Sequence, residues 1–117
     1  MSLRAYRAEW RTQSEDEARA NLKDYRKRGP AKQTKLILEA VRSLGLEDAS
    51  LLDVGGGIGT IHHELLKDVA REATHVDASS AYLKIATEEV KRLGHEAQVK
   101  FIHADFTDVA DELPQVD

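Results

Sequence analysis

Cysteine is absent from the 117 residues. That excludes disulfide staples, thiolate metal sites and a thiol nucleophile. Proline occurs twice and glycine seven times, too few for a collagen-like or low-complexity chain. Aromatic residues make up 5%. No apolar run approaches the roughly 18 residues that a membrane helix needs. The N-terminal stretch also lacks the apolar core of a signal peptide. With 41% hydrophobic and 32% charged residues, the composition predicts one globular domain in the cytoplasm with no membrane segment.

The net charge of −4 is unevenly spread. Residues 1–42 carry 11 Lys and Arg against 6 Asp and Glu, a net +5, and residues 43–117 carry 6 against 15, a net −9. A basic arm on an acidic body is compatible with nucleic-acid binding. Glu15/Arg19 and Asp24/Arg28, however, stand at the i,i+4 spacing of a solvated helix with paired charges, and that is the reading adopted.

Residues 4–28 are rich in helix formers and predict a helix that ends at Gly29-Pro30. A second helix follows, with Pro30 in its first turn, Ile37, Ala40, Val41 and Leu44 on its apolar face, and Gly45 at its end. From residue 50 the pattern changes. Leu51–Val54 reads as a buried strand, Ile61, Leu65 and Val69 as one face of a helix, and Thr74–Asp77 as a second strand. A helix capped by Ser79 or Ser80 comes next. Its apolar face is Leu83, Ala86, Val90 and Leu93, and Gly94 stops it before a third strand at 99–104. The fold class is therefore α/β: two helices, then a βαβαβ half of a Rossmann-like sheet in strand order 3-2-1. Residues 1–45 form the helical segment and 46–117 the nucleotide-binding half-domain.

Asp53-Val54-Gly55-Gly56-Gly57-Ile58-Gly59 stands at the first strand-to-helix turn, where glycines let the chain turn sharply and a ligand approach the backbone. Asp77 ends the second strand, the place for a carboxylate that accepts from ribose hydroxyls. Asp105 follows the third strand, at the same rim, and is able to accept from an exocyclic amine. The dinucleotide fingerprint needs Gly or Ala where Thr60 stands, which disfavours a nicotinamide-dependent oxidoreductase, and no P-loop lysine is present. His62-His63 projects about 100° apart on a helix and matches no zinc-protease spacing, so no metal site is expected there and the pair reads as a surface feature. His103 reads as a packing or hydrogen-bonding residue on its strand, and His75 and His95 give no signal.

LLDVGGGIGTIHHEL, VDAS at 76–79 and HADF at 103–106, taken in that order, resemble the motifs of class I S-adenosylmethionine-dependent methyltransferases. The resemblance implies S-adenosyl-L-methionine as cofactor and a small-molecule methyl acceptor. It implies that Gly55, Gly57 and Gly59 surround the methionine part, with Asp53 and Gly56 of the same loop also among the cofactor-binding residues. Asp77 and the adjoining Ala78 would then meet the ribose, and Asp105 and Phe106 would flank the adenine. A full domain of this class continues for four more strands, whereas this chain stops where strand four would begin. The expectation is a cofactor-binding half whose catalytic residues are not identifiable. A non-catalytic binding module or partner-dependent subunit is the alternative. Tyr6, Trp10 and Tyr25 are candidates for a lid face, with an apolar docking face as the plainer reading. An unpaired edge on the first strand further predicts pairing of two copies.

Overall fold

The computed structural model describes residues 3–104, with side chains from Glu15 onward. Its elements run α1 (Leu3–Arg28), α2 (Lys32–Arg42), β1 (Ala49–Val54), α3 (Thr60–Leu65), β2 (Ala70–Asp77), α4 (Ser80–Leu93) and β3 (Val99–His103). The three strands form one parallel sheet in which β2 lies between β1 and β3, as the alternation of elements predicts. Right-handed crossovers stepping in one direction place α3 and α4 on the same face.

Strand register sets up the site. Asp53 of β1 is level with His75 of β2, and His75 is level with Phe101 of β3. These three therefore form a row on one face of the sheet. Leu65 and Val69 pack with Ala49 of β1 and Leu38 of α2. A second core joins Ala18 and Leu22 of α1 to Ile58 of the glycine loop and Ile85 of α4, with Tyr25 and Tyr82 against it.

Ion pairs fasten α1 across the body. Arg26 and Arg92 both bond Glu89 of α4, and Lys84 bonds Glu15 at 2.9 Å. Arg19 reaches both Glu15 and Glu88, and Arg28 pairs with Asp24. Burial alone would raise the Glu89 carboxyl, but the two guanidiniums prevail and bring it down to about 2.

Four expectations need correction. In α2 the buried residue is Leu38, while Ile37 is 50% exposed and Leu44, in the turn after the helix, is 68% exposed; the stripe docks one position round from the expected face. Helix α3 stops at Leu65, and Val69 belongs to the turn before β2. Strand β2 begins at Ala70, four residues before the expected start, because the polar segment Arg71-Glu72 extends along the sheet beside Ser50. His62 and His63 are fully buried, not on the surface. The caps of α4 hold: the Ser79 hydroxyl accepts from the Tyr82 N–H, and Gly94 adopts a left-handed φ of 75°.

Candidate functional site

The chain leaves β1 through a loop in which Gly55, Gly57 and Gly59 have φ of 66°, 59° and 86°. A side chain costs about 1–2 kcal/mol in this left-handed region. At Gly57 the space a Cβ would take is open apart from the Tyr82 ring, 3.8 Å away. At Gly59 a Cβ would collide with His62 Nε2 at 2.4 Å. The two glycines thus serve different neighbours: Gly57 leaves room toward a cleft, and Gly59 lets the loop settle onto buried histidines.

Asp77 organises the loop from the end of β2. Its Oδ2 accepts from the Gly57 N–H at 3.0 Å and its Oδ1 from the Ser79 N–H at 2.8 Å. Each carboxylate oxygen keeps a further lone pair for a ligand hydroxyl. The Gly55 N–H donates to the Val76 carbonyl, which continues the sheet bonding into the loop. His63 Nε2 donates to the Ile58 carbonyl at 2.8 Å and fixes the loop from below.

A cleft of about 440 Å³ opens between this loop and the turn joining α1 to α2. Gly55, Gly57 and Ile58 line one side, and Tyr25, Pro30 and Tyr82 line others. Asn21 Nδ2 donates to the Tyr82 hydroxyl, and the Tyr25 hydroxyl donates to Glu64. A larger cavity of about 570 Å³ lies beyond Tyr25, where Arg26 and Arg92 on its wall are both engaged with Glu89. The glycine-loop cleft is lined by the bare backbone of Gly55, Gly56 and Gly57.

Behind the loop sits a buried polar cluster. His62 Nε2 and His75 Nδ1 are 2.9 Å apart, and the two rings meet edge to face. Burial, reinforced by neighbouring imidazoles, pushes His62 far down; burial also lowers His63. It brings His75 to about 4 against the opposing pull of Asp77. Asp53 is pushed up to about 6, by burial first and the charge of Asp77 second.

Of the residues singled out in the sequence, Asp53, Gly55, Gly56 and Gly57 line the cleft; Gly59 is buried beneath the loop and Asp77 touches it through Gly57. Ala78 is exposed, and its carbonyl accepts from His103 Nε2 at 3.1 Å. Asp105 and Phe106 lie outside the described residues, as do the side chains of Tyr6 and Trp10. The pattern of the sequence did not reveal Tyr82, Pro30 or the inner role of His75. Tyr82 carried a signal in retrospect, standing one turn into a helix that begins at the ligand rim.

A parallel sheet with a glycine loop after its first strand and a carboxylate ending its second defines a nucleotide-type ligand domain of the doubly wound class. Residues 51–117 match the family model of the methyltransferase domain, and the chain belongs to this family, the class I S-adenosylmethionine-dependent methyltransferases. It is 31% identical over 80 residues to a ubiquinone/menaquinone biosynthesis C-methyltransferase of Rhizobium meliloti, covering 67% of this chain and 30% of that enzyme. A methyltransferase of Thiobacillus denitrificans, solved with S-adenosyl-L-homocysteine, superposes with a TM-score of 0.55 at 31% identity, covering 66% of this chain and 30% of the other. A protein of Methanococcus maripaludis assigned to the same enzymes shares the fold, with a TM-score of 0.64 at 20% identity over 78% of this chain and 42% of that one. The chain thus spans less than half the length of these relatives. The family's cofactor is S-adenosyl-L-methionine.

The site fits that group: the open space at Gly57 and the acceptor-only carboxylate of Asp77 suit a ligand with a compact polar end and adjacent hydroxyls.

Proposed function

We propose that this chain supplies the cofactor-binding portion of a methyltransferase acting on a small-molecule acceptor. Residues 1–45 cover the cleft and residues 46–117 bind the cofactor. The observation that carries this reading is the cleft itself, with the glycine loop on one side and the α1–α2 turn on the other. The Rhizobium relative, whose name places it in quinone biosynthesis, supports a small-molecule acceptor.

In this reading the Asp77 carboxylate receives the ribose hydroxyls while it holds Gly57, so loop shape and ligand register depend on one side chain. Gly55 and Gly57 admit the methionine end against bare backbone. Tyr25, Tyr82 and Pro30 exclude water from the cleft. When bound, the cofactor supplies a methyl group on a sulfonium, a good leaving group. The protein's part is then to orient the acceptor in line and keep solvent away, without an acid–base triad. No helix among the described residues is long and apolar enough to cross a membrane.

Isothermal titration with S-adenosylhomocysteine, S-adenosylmethionine and NAD in parallel tests the assignment. Saturable heat from the two sulfur ligands and none from NAD is expected. Heat from NAD alone would overturn it.

A further inference from the structure

We propose that Asp53, His62 and His75 form a binding site for one divalent transition-metal cation beneath the glycine loop. Three separate elements, β1, α3 and β2, bring these residues together. One donor atom from each lies within 4.8 Å of the other two. Asp53 is 8% exposed, and both histidines are fully buried.

The hydrogen bonding within the cluster is incomplete. Asp53 Oδ2, His62 Nδ1 and His75 Nε2 are buried without a partner. The contact between His62 Nε2 and His75 Nδ1 needs one proton, carried by either ring. If His62 donates, its Nδ1 is an unused lone pair and His75 Nε2 an unused N–H; if His75 donates, the roles exchange. Either tautomer leaves one unused donor and one unused acceptor on the two rings, besides the unpartnered Asp53 Oδ2. Buried polar groups are rarely left this way, and each costs about 1–3 kcal/mol. A cation in place of the proton shared by His62 Nε2 and His75 Nδ1 would take a lone pair from each ring and one from Asp53, and both outer nitrogens would then carry the protons. His75 Nε2 and Asp77 Oδ2 are 4.0 Å apart, too far for a hydrogen bond to remove the deficit.

The loop is shaped around this cluster. A Cβ at Gly56 would lie 2.8 Å from His75 Cε1 and 2.9 Å from Asp53 Oδ2, and one at Gly59 would lie 2.4 Å from His62 Nε2. Gly56 and Gly59 therefore accommodate the donors, as Gly55 and Gly57 accommodate the cleft. Two imidazoles and one carboxylate suit zinc, cobalt, nickel or ferrous iron, and not calcium or magnesium, which favour oxygen-only shells. His63 donates its Nε2–H to the Ile58 carbonyl and is not one of the three clustered residues. A cation here would fix the floor of the loop from behind.

The test is made on the chain after EDTA treatment and buffer exchange. Titration with cobalt(II) should give one equivalent with visible d–d absorption, displaced by zinc, and zinc should raise the melting temperature. Asp53→Asn, nearly isosteric, should weaken zinc binding by more than the roughly 10–100-fold that even outer-shell changes cost. His95→Gln, outside the cluster, should leave it unchanged. X-ray absorption on the wild-type zinc protein reads the ligands without any variant and should show two imidazoles with oxygen donors. Absence of stoichiometric cobalt binding, a zinc shell with fewer than two imidazoles, or equal affinity in a folded Asp53→Asn protein would each overturn the proposal.

Discussion

Asp77 does two things with one carboxylate. It already holds the Gly57 and Ser79 N–H groups, and it faces the position of the ribose in the proposed complex. Asp77→Ala should therefore weaken S-adenosylhomocysteine binding by about ten- to a hundred-fold, the equivalent of a charge-assisted bond worth about 1.5–3 kcal/mol. Titration calorimetry reads this directly, and an unchanged dissociation constant would remove the ribose role. Asp77 was legible in the sequence because strand end, spacing from the glycines and residue type all agree. His75 was not. Its partners, Asp53 and His62, are 22 and 13 positions away, and only strand register and the turn into α3 bring them together.

At the scale of elements, caps and glycine breaks proved readable and docking direction did not. Gly29, Gly45 and Gly94 all take left-handed φ, as their positions between elements suggest. Helix α2 carries apolar residues at 36, 37, 38 and 41, with Leu44 in the turn after it, a band too wide for periodicity to say which edge faces inward. Arg42, paired with Asp68 at 2.9 Å, helps set the rotation that buries Leu38. Leu38→Ala should cost about 2–5 kcal/mol, while Ile37→Ala should stay within about 0.5 kcal/mol of wild type. Urea unfolding of the two variants distinguishes them, and equal losses would mean that α2 is docked differently. Helix α3 was overextended in the sequence reading because Val69 is buried like a helical residue although it sits in a turn.

For the molecule as a whole, β1 is an end strand of the sheet, and among the described residues β2 is the strand that bonds it. Val54 on that strand is 47% exposed, and Leu36 and Ile37 of α2 and Leu44 of the turn after it add apolar surface. The 117-residue chain is expected to self-associate, most simply by antiparallel pairing of two β1 edges about a two-fold axis. Sedimentation velocity over a concentration series should show a dimer growing in. A monomer at every concentration would speak against edge pairing. Part of the charge imbalance is met within the fold: basic Arg19 and Arg26 of α1 are matched to Glu88 and Glu89 of α4.

Those same pairs bear on how long a ligand stays. Helix α1 carries Tyr25, which lines the cleft, and is held to α4 by Arg19–Glu88 and Lys84–Glu15, pairs with about half of a side chain in solvent, and by half-exposed Arg26 on the buried Glu89. Mobile ions screen such contacts, whereas they reach the partly buried Gly57–Asp77 bond far less. Added salt should therefore free the cover before it disturbs the seat. Stopped-flow dissociation of S-adenosylhomocysteine should quicken as ionic strength rises, and a residence time indifferent to salt would mean that the ligand leaves without α1 lifting.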